Sequence, residues 1–490
     1  MTAGVLVIDV GTSSVRSSIV DAAGQVTATH QVPVLPTTPA PGMVDVDAAA
    51  IFDAALHTAR AALSSGTPVA GVGIANQRAT AVVWERSSGQ PVAPAIGWQD
   101  LRTVIQCLVL QAEGLRLAPN VSATKFQAIL DAVDPDRVRL RSGELCCGTL
   151  DTYLAFRLSG GAAFITDATN AAVTGLVDAY EARWDPRVLE VLGLRLEALP
   201  EIVDSAGIFA PATLLPGSPM ICGLAGDQQA SLIGQGCTTP GTAKITFGTG
   251  GMLDLVTGDR VAAAQRGEAG TFPIVAYQLR GQPTWGVEAI MLSAGSCIEW
   301  LRDDLGLLDD AASSATVAAA CADTGGVSFI PALLGLGTPV WDFGARGTLL
   351  GLTRGTGRPE LVRAVLEGIA QRGADLVDAA ETDSGLAPGA LRVDGGMSAN
   401  PVFIQSLADA TGRTIELARE LEATTLGAGF LAGLGADVFE DLDHIATLAT
   451  PRAVVAPQVD DDLRGAARAR WLELRSRAER TIPELSGVSF

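Results

Sequence analysis

Residues 4–20 read GVLVIDVGTSSVRSSIV, the pattern of a strand, a tight turn and a second strand. Residues 243–256, AKITFGTGGMLDLV, repeat this layout more than 200 residues later. In each turn, glycine lets the backbone approach a ligand, while hydroxyl and N–H groups can donate hydrogen bonds to anionic oxygens. Either turn alone is compatible with an ordinary hairpin, but the pair indicates two phosphate-binding turns. Their donor residues are Thr12, Ser13 and Ser14, and Gly248 and Thr249.

Length and composition indicate a globular protein of two domains. A chain of 490 residues exceeds what one hydrophobic core supports, and 48% of it is apolar against 18% charged. No apolar run approaches the roughly 18 residues of a membrane span. We place the boundary near residues 236–240, which gives domains 1–236 and 237–490. The chain starts directly in a strand without a basic leader, so we expect it in the cytoplasm.

Charge and residue usage exclude several classes of partner. The net charge of −20 and the presence of only two lysines, Lys125 and Lys244, argue against nucleic acid or an anionic membrane as partner. Seven cysteines without CxxC spacing indicate reduced thiols. Three histidines far apart in sequence argue against zinc, whereas a Mg²⁺ held by carboxylates remains open.

Apolar periodicity alternates between strand-like and helix-like segments in both halves, which is typical of an α/β protein. Strands are predicted at 69–74, 81–84, 162–166, 326–330 and 391–393. Helices are predicted at 46–63, 149–158, 358–380 and after Asn400.

Asp227 is the candidate catalytic residue. Residues 220–234, MICGLAGDQQASLIG, predict a strand, a turn at Gly226 and a helix starting at Asp227. An isolated aspartate in this position is often only a helix N-cap. Phosphoryl transfer, however, needs a carboxylate to accept the hydroxyl proton, a metal on the phosphates and oriented donors. Asp227 can be the base and Asp9 can hold hydrated Mg²⁺. Because no GxxxxGK[ST] motif occurs, the two turns and Arg16 must hold the phosphates.

A third glycine element lies in residues 393–403, VDGGMSANPVF. Gly395 and Gly396 follow a predicted strand, and Asn400 and Pro401 predict the start of a helix. A lone Gly-Gly turn is usually structural. Here it follows two phosphate turns, so we expect the adenosine of ATP to lie against it.

The chain resembles the FGGY carbohydrate kinases, and within them most closely the glycerol kinase branch. The matching stretches include VIDVGTSSVRSSIVD (7–21), GVGIANQRATAVVW (71–84), GLAGDQQASLIGQ (223–235), AKITFGTGG (243–251), FIPALLGLGTPVWDFGARGTLLGLTRGT (329–356) and LRVDGGMSANPVF (391–403), all in family order. The resemblance implies an actin-like ATPase fold of two ribonuclease-H-like domains with an interdomain cleft. It also implies ATP and Mg²⁺ as cofactors and, by analogy, a homodimer.

The resemblance assigns roles to individual positions. Asp227 matches the catalytic base, and Asp9 and Asp227 are the expected metal ligands. The nucleotide and phosphate positions are Thr12, Ser13, Ser14, Arg16, Gly248, Thr249, Gly295, Glu299, Gly395, Gly396 and Asn400, with Glu299 standing where glycerol kinases usually have Gln. The acceptor positions are Gln77, Arg78, Ala79, Trp98, Asn120, Asp227, Gln228 and Met252.

Three acceptor positions depart from the glycerol kinase pattern. Ala79, Asn120 and Met252 stand where that branch usually has Glu, Tyr and Phe. Losing a carboxylate that pairs with substrate hydroxyls costs about 1–3 kcal/mol for each buried partner. Two of the new side chains are smaller, so the pocket is expected to take a four- or five-carbon alditol or ketose. Glycerol itself is one alternative, and a non-catalytic ATP- or sugar-binding regulator is another.

Overall fold

The computed structural model describes residues 3–420 and 422–488 of the chain. Its strands are β1 Gly4–Val10, β2 Ser14–Val20, β3 Val26–Pro33, β4 Asp45–Val46, β5 Val69–Asn76, β6 Val82–Glu85, β7 Ala95–Ile96, β8 Leu145–Gly148, β9 Ile165–Asp167, β10 Glu201–Val203, β11 Ala206–Pro211, β12 Met220–Gly226, β13 Ala243–Phe247, β14 Gly251–Gly258, β15 Phe272–Leu279, β16 Gln282–Met291, β17 Ser328–Ile330, β18 Thr348–Leu350, β19 Ala390–Asp394, β20 Thr414–Leu417 and β21 Ala453–Val455.

The helices cover the sheets and fill the connections between strands. They are α1 Ala48–Leu63, α2 Val104–Ala112, α3 Ala123–Val133, α4 Val138–Arg141, α5 Leu150–Leu158, α6 Ala168–Ala172, α7 Pro186–Leu192, α8 Asp227–Gly234, α9 Gly295–Glu299, α10 Ser313–Ala318, α11 Arg358–Ser384, α12 Pro401–Thr411, α13 Ala423–Gly435, α14 Leu442–Leu448, α15 Asp461–Ser476 and α16 Pro483–Ser486. Within the described residues, no helix is both long and apolar enough to cross a membrane.

Two large sheets, of six and seven strands, share the arrangement of their central strands. The first sheet has the order β11-β12-β5-β1-β2-β3 and the second has the order β15-β16-β14-β13-β19-β20-β21. In the first, β1 pairs antiparallel with β2 and parallel with β5. In the second, β13 pairs antiparallel with β14 and parallel with β19. Each phosphate turn predicted from the sequence therefore joins the central strand of its sheet to the next strand.

The α/β prediction is confirmed, and most predicted elements lie where the sequence placed them. Helix α1 begins at Ala48 rather than residue 46, because the Asp47 side chain caps it by accepting the Ala50 N–H. Helix α11 runs four residues beyond the predicted end, to Ser384. The strand predicted at 162–166 is wrong in its bounds, since β9 spans only Ile165–Asp167, where it pairs with β10.

Helix α13 lies late in the chain but packs on the first sheet. Its apolar residues join Val7, Val20 and Ala225 in one buried cluster. It also packs against α8 so closely that a Cβ on Gly427 would lie 1.7 Å from the Ala230 carbonyl oxygen. Because α8 begins at Asp227, this contact fixes α13 beside the candidate catalytic residue.

Replacing Gly427 with alanine is expected to destabilise the protein by more than the roughly 1–3 kcal/mol typical of overpacking, because the new Cβ would overlap backbone rather than a flexible side chain. Gly465→Ala in α15 is the matched control, since a Cβ there meets nothing within 4 Å and should raise stability by about 0.5–1 kcal/mol. Urea denaturation of both variants measures the difference. A Gly427→Ala variant as stable as wild type would contradict the close helix contact.

Candidate active site

The first phosphate turn is a tight connection between β1 and β2. The Gly11 N–H donates to the Ser14 carbonyl at 3.0 Å, and Gln31 Nε2 donates to Ser14 Oγ at 2.8 Å. Trp98 Nε1 donates to Thr12 Oγ1 at 3.2 Å. Ser13 is exposed at the tip of the turn. A predicted acceptor residue, Trp98, thus contacts a predicted phosphate residue directly.

Arg16 follows this turn on β2. Its guanidinium pairs with the Glu422 carboxylate and donates to Gln31 Oε1 at 3.1 Å. Arg16 is therefore neutralised by protein groups in this structure. An anion that binds the turn must compete with Glu422 for the cation.

The second phosphate turn meets two other predicted nucleotide elements. The Gly295 N–H, at the start of α9, donates to the Gly248 carbonyl at 2.9 Å. Gly395, which has a φ of +84°, lies against β13, where a Cβ would be 2.3 Å from the Phe247 carbonyl oxygen. Thr249 and Gly396 are exposed beside these contacts. The structure thus brings the three segments into one surface with open space above Gly248 and Gly396.

Asn400 caps α12, as predicted. Its Oδ1 accepts the N–H groups of Val402 and Phe403 at 3.0 and 3.1 Å, and its Nδ2 donates to Ser314 Oγ at 3.0 Å. The Oδ1 atom is therefore fully used within the protein, whereas only one of the two Nδ2 hydrogens is used. The second Nδ2 hydrogen is the group that Asn400 can offer to a nucleotide. Glu299, at the end of α9, is exposed.

Asp9 lies close enough to Asp227 for the charge of Asp227 to affect its ionisation. Thr425 Oγ1, on α13, donates to Asp9 Oδ2 at 2.9 Å. Burial raises the pKa of Asp9 to about 6, and the charge of Asp227 adds to the effect. Burial also raises the pKa of Asp227, against the nearby Arg78 charge. The two neighbouring carboxylates supply oxygen atoms that fit Mg²⁺, which favours oxygen ligands and keeps several waters.

The N-cap alternative for Asp227 is wrong in detail. Gly226 is the N-cap of α8 and Asp227 is the first residue of the helix. The Asp227 carboxylate accepts a single backbone N–H, that of Gln228, at 2.8 Å. Its side chain is 30% exposed, so the carboxylate is open to a ligand.

Arg78 connects the two halves of the chain beside Asp227. Its Nε lies 3.5 Å from Asp227 Oδ1, and its Nη2 lies 2.6 Å from Glu288 Oε2 on β16. Nη1 also donates to Gln229 Oε1 at 3.4 Å. Arg78 is thus held by carboxylates on both sides, and their charges raise its pKa against the effect of burial.

Gln228 is held from the second half as well. Lys244 Nζ donates to Gln228 Oε1 at 2.6 Å and forms an ion pair with Asp254 at 2.8 Å. Lys244 and Asp254 are both fully buried. The second lysine of the chain, Lys125, is also buried. Lys244 thus contacts the side chain of a predicted acceptor residue.

The three departing acceptor positions differ in exposure. Ala79 is 6% exposed and holds a left-handed φ of +58°. Asn120 is exposed, and Met252 is half-buried on β14. Gln77 is only 2% exposed, so its side chain is much less open to a ligand than that of Arg78. Asp100 and Arg102, which follow Trp98, form an ion pair at 2.7 Å, and Arg102 also pairs with Asp45.

Lys125 supports the segment that carries Asn120, since its Nζ donates to the Asn120 carbonyl at 3.0 Å. Burial lowers the pKa of Lys125 from 10.5 to about 7. The folded state therefore binds fewer protons than the unfolded state between these values, so stability rises with pH across this window. Below about pH 7, burial of the charged Lys125 lowers the free energy of unfolding by up to roughly 5 kcal/mol. A pKa difference of one between the folded and unfolded states corresponds to about 1.4 kcal/mol.

Lys125→Met is accordingly expected to flatten the rise of stability between pH 7 and pH 10. Its stability relative to wild type should be highest near pH 6 and lowest near pH 10. Denaturant titrations at four pH values measure the slope, with the exposed Arg187→Met as control for loss of a cation. Parallel pH profiles for wild type and Lys125→Met would show that Lys125 ionises normally.

Sequence reasoning missed five contacts of this site: Glu288, Asp254, Lys244 as a partner of Gln228, Gln229 and Thr425. One signal could have revealed three of them. Asp254, Glu288 and Lys244 are charged residues within otherwise apolar strands, and a charge buried in a strand usually has a specific partner. No comparable signal marks Gln229 or Thr425.

Comparison with known proteins identifies the family. The model of the FGGY carbohydrate kinase N-terminal domain matches residues 4–234, and the model of the C-terminal domain matches residues 243–436. The chain belongs to the FGGY family of carbohydrate kinases. A glycerol kinase from Rhodospirillum rubrum is 44% identical to it over 89% of this chain and 90% of the relative. A glycerol kinase from Aromatoleum aromaticum is 40% identical over 96% and 98%.

Solved structures agree with this FGGY assignment. The crystal structure of Plasmodium falciparum glycerol kinase with ADP has a TM-score of 0.91 and 29% identity, and covers 97% of this chain and 98% of its own. The predicted actin-like, two-domain fold is thereby confirmed. The FGGY kinase described here is a phosphotransferase that uses ATP and an alcohol acceptor of the polyol or sugar class.

Proposed function

We propose that this FGGY kinase transfers the γ-phosphate of ATP to a terminal hydroxyl of a four- or five-carbon alditol or ketose. The observation that carries the proposal is the acceptor pocket. Ala79 supplies no polar group where a carboxylate would pair with glycerol hydroxyls, and this residue is only 6% exposed. The small side chains at 79 and 120 leave room for one or two further carbons.

In the proposed reaction, Asp227 accepts the proton of the acceptor hydroxyl. Its carboxylate is partly open and makes one backbone hydrogen bond, so it has free lone pairs for this proton. The raised pKa of Asp227 makes it a better base than an ordinary aspartate. Arg78, 3.5 Å away, orients the carboxylate and can donate to a second hydroxyl of the acceptor. Trp98 forms the apolar wall on the side of the first turn.

We assign Mg²⁺ binding to Asp9 and Asp227, because their two carboxylates fit this ion. When bound with ATP, Mg²⁺ would neutralise charge at the phosphate oxygens. Thr12, Ser13, Ser14 and Arg16 would hold phosphate from the first half. Gly248 and Thr249 would hold phosphate from the second half, and the open surface of Gly295, Gly395, Gly396, Glu299 and Asn400 would bind adenosine.

We further propose that the domain boundary lies at residues 236–237 and that transfer takes place in the cleft between the two domains. Contacts across the cleft support this, because Arg78 and Gln228 reach second-half residues. Closure around both substrates would exclude water and limit ATP hydrolysis. A cytoplasmic location and a homodimer complete the proposal.

Glycerol is the second candidate acceptor, and one observation favours it. The curated relatives that are 37–44% identical over most of their length are named glycerol kinases. The choice depends on whether water can replace the missing carboxylate at position 79. A regulator without activity is disfavoured, because Asp9, Asp227 and both turns are intact.

The test is ADP release from Mg-ATP by purified protein over a panel of glycerol, tetritols, pentitols and ketopentoses, with Asp227→Ala as control. The proposal predicts the highest kcat/KM on a four- or five-carbon acceptor and loss of the signal in the control. Highest kcat/KM on glycerol would replace the first candidate with the second. ATP binding without turnover of any acceptor would support a regulator.

A further inference from the structure

Three charged side chains form a row across the second sheet. Asp254 on β14 is the register partner of Lys244 on β13 and of Glu288 on β16. Residues directly opposite on neighbouring strands point to the same face, so the three side chains share one face of the sheet. Acidic groups occupy the middle and one end, and the lysine occupies the other. We call Lys244, Asp254 and Glu288 the charged row.

Both ends of the charged row contact residues assigned to the acceptor site. Glu288 Oε2 lies 2.6 Å from Arg78 Nη2, and Lys244 Nζ lies 2.6 Å from Gln228 Oε1. Arg78 and Gln228 belong to the first half, and each lies beside Asp227. The second sheet therefore reaches the acceptor residues through Glu288 and Lys244.

The charged side chains that make these contacts are almost entirely buried. Lys244 and Asp254 are fully buried, Glu288 is 7% exposed and Arg78 is 12% exposed. Charges removed from water in this way depend on their protein partners, since no solvent replaces a lost contact. The Arg78 head group is thus fixed between Glu288 on one side and Asp227 on the other. Because the guanidinium is planar, a single orientation of it can contact both carboxylates.

We propose that Glu288 is a positioning residue that aligns Arg78 with the acceptor and with Asp227. Lys244, which is paired with Asp254, does the same for Gln228. The second domain, which is assigned to nucleotide, thereby sets the affinity of the first domain for the acceptor. The inference rests on the proposed roles of Arg78 and Gln228 but does not depend on which acceptor is used.

The test compares Glu288→Gln with a matched control, Glu416→Gln. Glu416 also lies on a strand of the second sheet and pairs with an arginine, Arg392, at 2.5 Å, but no described contact links it to Arg78. With the best acceptor of the panel, Glu288→Gln is expected to raise the acceptor KM roughly 10- to 100-fold, the loss that follows when a charged hydrogen bond is weakened. Its KM for ATP should stay within about twofold of wild type, and Glu416→Gln should change neither.

A rise in the acceptor KM without a rise in the KM for ATP distinguishes lost positioning of Arg78 from a general loss of structure. Equal increases in both KM values, or an unchanged acceptor KM in a folded Glu288→Gln protein, would overturn the inference. If Glu288→Gln does not fold, Glu288→Asp keeps the charge but shortens the reach, and the same acceptor-selective rise is expected.

An acceptor-free measurement keeps the inference distinct from the proposed function. Hydrogen exchange of residues 76–80 should be faster in Glu288→Gln than in wild type, and unchanged in Glu416→Gln. If exchange is faster but no acceptor is turned over, the proposed function is wrong, while the positioning contact between Glu288 and Arg78 is supported. Unchanged exchange in this segment would overturn the positioning role even if the kinase is active.

Discussion

Asp227→Asn is expected to lower kcat roughly 10²- to 10⁴-fold, while ATP still binds. The asparagine keeps the shape of the side chain and can still accept the Gln228 N–H, but it cannot take the proton of the acceptor hydroxyl. Nucleotide contacts lie on the two turns and the adenosine surface, so the affinity for ATP without metal should change little. Steady-state kinetics and nucleotide titration measure the two effects separately.

The matched control for this variant is Asp461→Asn. Asp461 is also the first residue of a helix, α15, but it lies on the surface and pairs with Arg464. If Asp227 served only the helix end, both variants would lose about 0.3–1 kcal/mol of stability and neither would lose activity. Near wild-type turnover in Asp227→Asn would therefore remove the assigned base.

Ala79→Glu is expected to raise kcat/KM for glycerol about 10- to 100-fold, because a carboxylate there can pair with two hydroxyls of a triol. The same change should lower kcat/KM for a five-carbon acceptor by occupying the space for its extra carbons. Ala79 already carries a Cβ at a φ of +58°, so glutamate adds no new backbone strain. Adding Asn120→Tyr and Met252→Phe should extend the shift in the same direction.

Ala112→Glu serves as control for the added charge, since Ala112 is exposed at the end of α2. It should leave the ratio of the two kcat/KM values unchanged. A folded Ala79→Glu protein with the wild-type ratio would show that position 79 does not select the acceptor.

The sequence predicted the site where local pattern carries the information. Both turns, Asp9 and Asp227 lie at strand ends, so a strand and glycine pattern places each of them without knowledge of the rest of the chain. The cap at Asn400 was predicted for the same reason. The correspondence between the two turns follows because each turn takes the same place after the central strand of its sheet.

Contacts between distant segments could not be predicted in this way. Arg78 and Glu288 are 210 residues apart, and Asp9 and Thr425 are 416 residues apart. Their partners follow from the strand register of the second sheet and from the packing of α13 on the first. Neither is encoded in a short motif.

The C-terminal helix shows the limit of periodicity. In α15, the spacing of Leu463, Ala467, Trp471 and Leu474 indicates one apolar stripe that packs on the domain, and the arginine-rich remainder predicts a solvated face. The helix does pack on the second half, but only Trp471 and Leu474 are buried, while Leu463 is 62% exposed. The solvated-face prediction is wrong, because Arg468 and Arg475 pair with the buried carboxylate of Asp375 on α11.

The most direct test of the central claim is a competition assay in which equimolar glycerol, a tetritol and a pentitol compete for limiting Mg-ATP. Mass spectrometry of the phosphate esters then reads the kcat/KM ratio of wild-type protein from one mixture. The account predicts that tetritol or pentitol phosphate exceeds glycerol phosphate by about tenfold or more. A product that is mainly glycerol phosphate would contradict the widened pocket and establish glycerol as the acceptor.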